Sequence, residues 1–193
     1  MNFCLIPITR EESAKQAILS AEQDGWKVRT INDLNREGAN TIRERLLDLA
    51  LSEKATLIRY LDDDDLLLPH LKEIKIIFQN NPELDIIYTN YSIYKEQFKL
   101  TGNLLIDTIQ IAPWSWIARA SSVAQIKKPI WDKTKICRQG GWCWLNFLNS
   151  NLKIQHYPIN AYNWQRHLFK DCIINNPNYH YESCLLRKAI NHA

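Results

Sequence analysis

The feature that most constrains this chain is the run from Thr56 to His70, in which a short apolar segment passes directly into four consecutive carboxylates. Leu57, Ile58, Tyr60 and Leu61 read as an interior strand of a parallel sheet. Asp62 to Asp65 fall just past its carboxyl end, where open α/β sheets keep their ligands. Four adjacent acids repel one another, so a compact fold holds them ionised only beside water, donors or a cation. Leu61 precedes the run and Leu66 to Leu68 follow it, which sets it apart from a solvated polar tail. In an extended segment side chains alternate, so Asp62 and Asp64 are expected to point one way and Asp63 the other. One or two such carboxylates, completed by water and phosphate oxygens, give the usual magnesium or manganese arrangement. An EF-hand calcium loop fits poorly: Glu73 is twelfth from Asp62, but Leu67 holds the sixth position, where the sharp turn wants glycine.

The segments around this run alternate between strand and helix. Phe3 to Ile8 suits a first, central strand. Thr9 with Glu12 reads as a capping box for a helix carrying Ala14, Ala17, Ile18 and Ala21 inward and ending at Gly25. Trp26 to Ile31 forms a second strand, ending at Asn32-Asp33, where a polar pair meets a ligand. After the polar turn Asn35 to Asn40, Ile42, Leu46, Leu49 and Ala50 mark a second amphipathic helix, with Arg43 beside its apolar stripe. Pro69 opens a third helix with Leu71, Ile74 and Phe78 inward. This βαβαβα pattern predicts a parallel sheet with helices on its faces.

Asp85 to Tyr94 is a further strand. Lys95 to Asp107, around Gly102, reads as a hairpin, and regular alternation stops there. Trp114, Trp116 and Ile117 predict a half-buried strand before Arg119. Ser121 or Ser122 caps a short helix to Ile126. Trp142 to Leu152 reads as a helix after Gly140-Gly141, Lys153 to Trp164 as a strand, and Tyr181 to Ile190 as a short terminal helix. With no internal repeat or low-complexity linker, the 193 residues predict a single domain.

Composition narrows the partners. The formal charge of +3 gives no footing for nucleic acid. The N-terminus lacks a signal-peptide pattern, and no stretch is long enough to span a membrane. The five cysteines form no CxxC pair, so they predict reduced, mostly buried thiols in a cytoplasmic protein, with peripheral contact at the inner face of the membrane left open. The seven Trp and eight Tyr are plentiful for this length; core packing is their commoner use, a sugar site the other.

Four ordered pieces resemble the GT-A-fold glycosyltransferases, most closely glycosyltransferase family 2. Leu5-Ile6-Pro7-Ile8-Thr9-Arg10 looks like the first strand and nucleotide-side loop. Arg36-Glu37-Gly38-Ala39-Asn40-Thr41-Ile42-Arg43-Glu44 is similar to the family's Gly-x-x-x-x-Arg helix. Tyr60-Leu61-Asp62-Asp63-Asp64-Asp65 with Leu68-Pro69 matches the aspartate-x-aspartate motif, and Tyr88-Thr89-Asn90-Tyr91 fits the next strand. The resemblance implies a single GT-A-like α/β domain over 1–193: a mostly parallel central sheet with helices on both faces and a smaller antiparallel part. Residues 1–94 would form the nucleotide-sugar half, and 95–193 the acceptor-side half and tail. It implies a metal-dependent glycosyltransferase, of hexosyltransferase type, moving sugar from a nucleoside-diphosphate sugar, a UDP-sugar first, to a hydroxyl of a glycan or glycoconjugate precursor. Asp64, Asp62 and His167 would hold Mn2+ or Mg2+, which stabilises the leaving diphosphate. Pro7, Thr9, Asp33, Arg43, Asp62 and Asp63 would line the donor, and Trp114, Gly140, Gly141 and Trp142 the acceptor side.

One departure bears on chemistry. Inverting relatives carry a Glu-Asp pair before the helix that here begins near Trp142, whereas this chain has Gln139-Gly140-Gly141-Trp142, and no carboxylate lies between Asp132 and Asp171. Asp132 resembles an upstream Phe-Asp pair with a structural role. The first loop also has Asn32-Asp33-Leu34-Asn35 in place of an Asp-Asp-Gly-Ser run. Three readings stay open: a retaining transferase whose leaving phosphate takes the proton, an inverting one with its base elsewhere, or a degenerate module that binds nucleotide sugar or a partner without reacting. A nucleotidyltransferase is a weaker option, because a Gly-rich phosphate loop with a basic residue after the first strand is missing.

Overall fold

The computed structural model describes residues 1–93, 96–107, 115–126, 129–131 and 139–164. The chain begins β1 (Asn2–Ile8), α1 (Glu11–Gln23), β2 (Lys27–Asn32), α2 (Ala39–Ser52), β3 (Leu57–Tyr60), β4 (Leu66–Leu67) and α3 (Leu71–Asn80). It continues β5 (Ile86–Ile93), β6 (Glu96–Phe98), α4 (Leu104–Asp107), β7 (Trp116–Arg119), α5 (Ala120–Val123), α6 (Gln139–Leu148) and β8 (Ile154–Trp164).

The strands join in one sheet ordered β2-β1-β3-β7-β5-β8-β4, with β6 paired to β5. β1 pairs in parallel with β2 and β3, and β5 with β8, while β7 lies antiparallel between β3 and β5. Thus β1, β2, β3, β5 and β8 point one way and end on one edge, as the alternation predicts for the first three. The core strands show why: Phe3, Cys4, Leu5 and Ile6 of β1 are fully buried, as are Ile58 and Tyr60 of β3. Arg59 is buried in the same strand, with its guanidinium over the Trp26 ring. A fixed aromatic face gives such a cation favourable electrostatics inside a core.

Most of the described tryptophans serve packing, the commoner of the two expected uses. Tyr60 meets Trp116 and Trp131 edge-on at 5.4 and 5.1 Å. Phe147 of α6 meets Trp116 and Trp144, and Tyr88 meets Trp144. These edge-to-face contacts dock α6 on β5 and β7.

Several local expectations are corrected. α1 begins after Arg10 without a side-chain cap, because the Thr9 hydroxyl donates to Asp63 from β3's loop. β7 is buried on both faces, not one, since it sits between β3 and β5 with Trp116 under Phe147. Likewise α5 has no serine cap, and Ser122 donates to Asp85 instead. α6 starts at Gln139, so Gly140 and Gly141 lie within its first turn rather than ahead of it. In place of a hairpin reaching Asp107, β6 returns along β5 and the chain then turns into α4. The buried Asp107 carboxylate accepts from the backbone N–H groups of Thr101 and Gly102, and from the hydroxyls of Thr101 and Tyr88. The expected terminal helix, Tyr181 to Ile190, lies outside the described residues. Of the cysteines, Cys4 and Cys143 are buried free thiols, and burial pushes Cys4 up to about 12.

His156 of β8 pairs with Tyr88 of β5, its ring 4.9 Å from the Tyr88 ring and its Nε2 3.0 Å from the Asn90 amide oxygen. Burial lowers its pKa, against an opposing pull from Asp107. The folded state therefore binds fewer protons than the unfolded state just below pH ~6.5, and stability falls as pH drops through that window. Urea midpoints measured from pH 7 to 5 should decline more steeply in the wild type than in His156→Gln; parallel profiles would contradict this.

Candidate functional site

β1 and β3 run in parallel with Leu5 opposite Tyr60, so their following loops emerge side by side. The Asp62–Asp65 segment is not the extended ribbon that alternation assumes. The Asp65 N–H donates to the Asp62 carbonyl at 3.2 Å, closing a turn. That closure brings the fourth acid back toward the first. As a result, carboxylate oxygens of Asp62, Asp64 and Asp65 all lie within 4.8 Å of one another. Asp65 is fully buried, and Asp62 and Asp64 are partly exposed.

Asp63 faces elsewhere, as alternation predicts, but into the protein. One of its oxygens accepts from the Thr9 N–H at 2.6 Å, the Thr9 hydroxyl at 2.9 Å and the Arg10 N–H at 2.6 Å. It is a clamp between loops, and Thr9 is its partner. Beyond the turn, the Leu67 N–H donates to Ser20 of α1, and β4 pairs with β8, with Leu66 opposite Asn163. The turn is thus held from β3, the first loop, α1 and β8.

Two arginines meet the acids. Arg43 of α2 is buried, donates to the Asn40 side chain at 3.0 Å, and lies over the Trp131 ring at 4.8 Å. Its other nitrogen reaches Asp62 at 2.5 Å. Trp131 is itself fixed by its backbone N–H donating to Glu44. Arg10 reaches Asp64 at 2.9 Å from an exposed position. Burial pushes the Asp62 carboxyl above the usual range, with the adjacent Arg43 charge pulling it back down.

The remaining expected residues divide. Pro7 is buried within β1 opposite Ile31, below the loop. The Asp33 carboxylate accepts from the Glu37 and Gly38 N–H groups at 2.7 and 2.9 Å and so shapes the loop before α2. In that loop Arg36 and Gly38 have left-handed φ of 53° and 93°. Gly140, Gly141 and Trp142 lie in the first turn of α6. Trp114, His167 and Asp132 lie outside the described residues. Sequence reasoning left out Asp65 and Arg10. For Asp65 the signal is a fourth acid flanked by three leucines, a position a turn would bury.

The parallel-rich sheet with an acidic turn at its strand ends has a GT-A-like α/β fold. No protein-family model and no curated protein sequence matches this chain. Solved structures do. S. aureus TarS 1–349 in complex with UDP has a TM-score of 0.67 at 15% identity, over 98% of this chain and 65% of that one. The same fragment in complex with UDP-GlcNAc gives 0.64 at 14% identity, over 100% and 67%. The A197 protein of STIV gives 0.55 at 12% identity, over 81% of each chain. This chain therefore spans about two thirds of the TarS fragment. At these identities the likeness establishes the fold.

The aspartates should separate by role. Asp63→Ala removes three donors' shared acceptor and should cost about 3 kcal/mol, lowering Tm by about 6 to 12 °C. Asp64→Ala breaks a partly exposed ion pair with Arg10 and should stay within about 1 kcal/mol. Thermal melts of the two variants decide it; equal losses would refute the clamp.

Proposed function

We propose that this chain is a glycosyltransferase that uses a nucleoside-diphosphate sugar, UDP-linked in the first instance, and transfers the sugar to a hydroxyl of a glycan or glycoconjugate. The convergence of Asp62, Asp64 and Asp65 on the edge where the parallel strands end carries this reading. The oxygen-only donor set, part buried and part open, fits a hard divalent ion such as Mn2+ or Mg2+. When bound, such an ion supplies charge stabilisation to the departing diphosphate.

The protein's own groups set the stage for that chemistry. Arg43, held by Asn40 and Trp131, fixes Asp62 in orientation. Asp63 holds the Thr9-Arg10 backbone against the turn, so the loop beside the donor is in place before donor arrives. The Asp33-centred loop frames the neighbouring strand end, where the base would lie. That TarS is solved with UDP and with UDP-GlcNAc supports a uridine donor here. His167 as a further metal ligand, the acceptor-side role of Trp114, Gly140, Gly141 and Trp142, and a cytoplasmic site of action belong to the same proposal. No described helix is long and apolar enough to cross a membrane.

A second reading has its own observation. The first turn of α6, Gln139-Gly140-Gly141-Trp142, carries no acid to take the acceptor's proton. That favours a module which binds nucleotide sugar without transferring it.

The test is thermal shift with UDP-, GDP- and dTDP-sugars, with and without Mn2+. A donor at ~100 times its Kd should stabilise by about 2.7 kcal/mol, a Tm rise of roughly 5 to 11 °C. The rise should require metal and vanish in Asp64→Ala. No shift with any donor would sink both readings. Release of free nucleotide, with or without acceptor, separates the enzyme from the binder.

A further inference from the structure

The two arginines at the acidic turn are held very differently. Arg43 has a side chain only 3% exposed, braced by Asn40 and the Trp131 face. Arg10 has a side chain 42% exposed, and Asp64, its partner, is 21% exposed. Its backbone is fixed independently of the side chain, through the N–H that donates to Asp63 at 2.6 Å. The guanidinium can therefore leave Asp64 while the loop stays still. It also touches one of the three carboxylates that converge. A divalent ion at that cluster and a guanidinium on the Asp64 carboxylate are like charges competing for one anion.

We infer that Arg10 is an exchangeable counter-ion: it neutralises Asp64 until ligand binds, yields that carboxylate to the divalent cation, and passes to the diphosphate of the incoming nucleotide. This rests on the donor-site reading above. The consequence is thermodynamic. Cation alone must displace Arg10 with no new anion to receive it, whereas cation and nucleotide together give it one. Each ligand therefore raises the affinity of the other by the same factor. Planar guanidinium is suited to the exchange, because its fork matches carboxylate and phosphate alike. Arg43 cannot serve so, since leaving Asp62 would empty a buried position over Trp131.

The experiment is Mn2+ binding to the full chain by electron paramagnetic resonance, for wild type, Arg10→Gln, Arg10→Lys and Asp64→Ala, each with and without UDP. Removing the competing charge should tighten Mn2+ binding by roughly fivefold in Arg10→Gln without nucleotide. Adding UDP should then strengthen Mn2+ binding at least about fivefold in wild type, and distinctly less in Arg10→Gln. Arg10→Lys should restore most of the coupling. Equal Mn2+ affinity and equal UDP enhancement in wild type and Arg10→Gln would overturn the inference and leave the donor site standing, as would weaker Mn2+ binding in Arg10→Gln. Absence of any Mn2+ binding that depends on Asp64 would overturn the donor-site reading and this inference with it.

Discussion

The interaction on which the site depends is the triple acceptance by Asp63. A single buried carboxylate oxygen takes two backbone N–H groups and a hydroxyl from Thr9 and Arg10. Hydrogen bonds to an ionised acceptor are short and roughly twice as strong as neutral ones. Their effect here is to fasten the loop after β1 to the loop after β3. Beyond that link, the two loops are joined by the β1–β3 ladder, which ends at Leu5 and Tyr60, and by the more exposed Arg10–Asp64 pair. With it, the acid cluster and the residues facing it form one unit.

The clamp also determines where charge accumulates. Spending Asp63 on the first loop leaves Asp62, Asp64 and Asp65 to share one small volume. Ionised carboxylates that close raise each other's pKa unless cations stand nearby. Arg43 supplies one, at the cost of burying a guanidinium, and the protein meets that cost with an aromatic face, an amide and the Asp62 carboxylate. The packing of Trp131 against Tyr60 ties this electrostatic support to the sheet core. Core aromatic residues and site charges are therefore one mechanical system: Tyr60 even donates its hydroxyl to the Arg43 carbonyl.

Much of the fold was legible because it is written in local patterns. The central strands announce themselves as unbroken apolar runs, and Ala14, Ala17 and Ala21, or Leu71, Ile74 and Phe78, repeat at helical spacing and are indeed buried. What was illegible depends on partners distant in sequence. Thr9 and Glu12 look like a capping box, yet Thr9 is taken by an acid 54 residues away. Asp33 looks poised for a ligand, yet both its oxygens close a loop. The alternation rule separated Asp63 from its neighbours correctly but missed the turn that recruits Asp65, because a period of two presumes extended backbone. β7 was misjudged as half-buried for the same reason: its second face is covered by α6, which no pattern within β7 can reveal.

The lack of an acid at the start of α6 weighs less against transfer than it first suggests. A general base typically contributes about 10²- to 10⁴-fold, whereas stabilising charge on the leaving group in a preorganised site is usually the largest single contribution. The elements that would meet that larger demand all lie in the β1 to α3 half and are braced by the Asp63 clamp and the Arg43–Asp62 pair. If the departing phosphate itself takes the acceptor's proton, as in a retaining reaction, α6 need only exclude water and shape the acceptor's approach. Glycines in its first turn suit that task, because they let a substrate come close to the helix backbone. A chain built this way would keep the acidic turn under strict geometric control while the first turn of α6, Gln139-Gly140-Gly141-Trp142, carried no ionisable group.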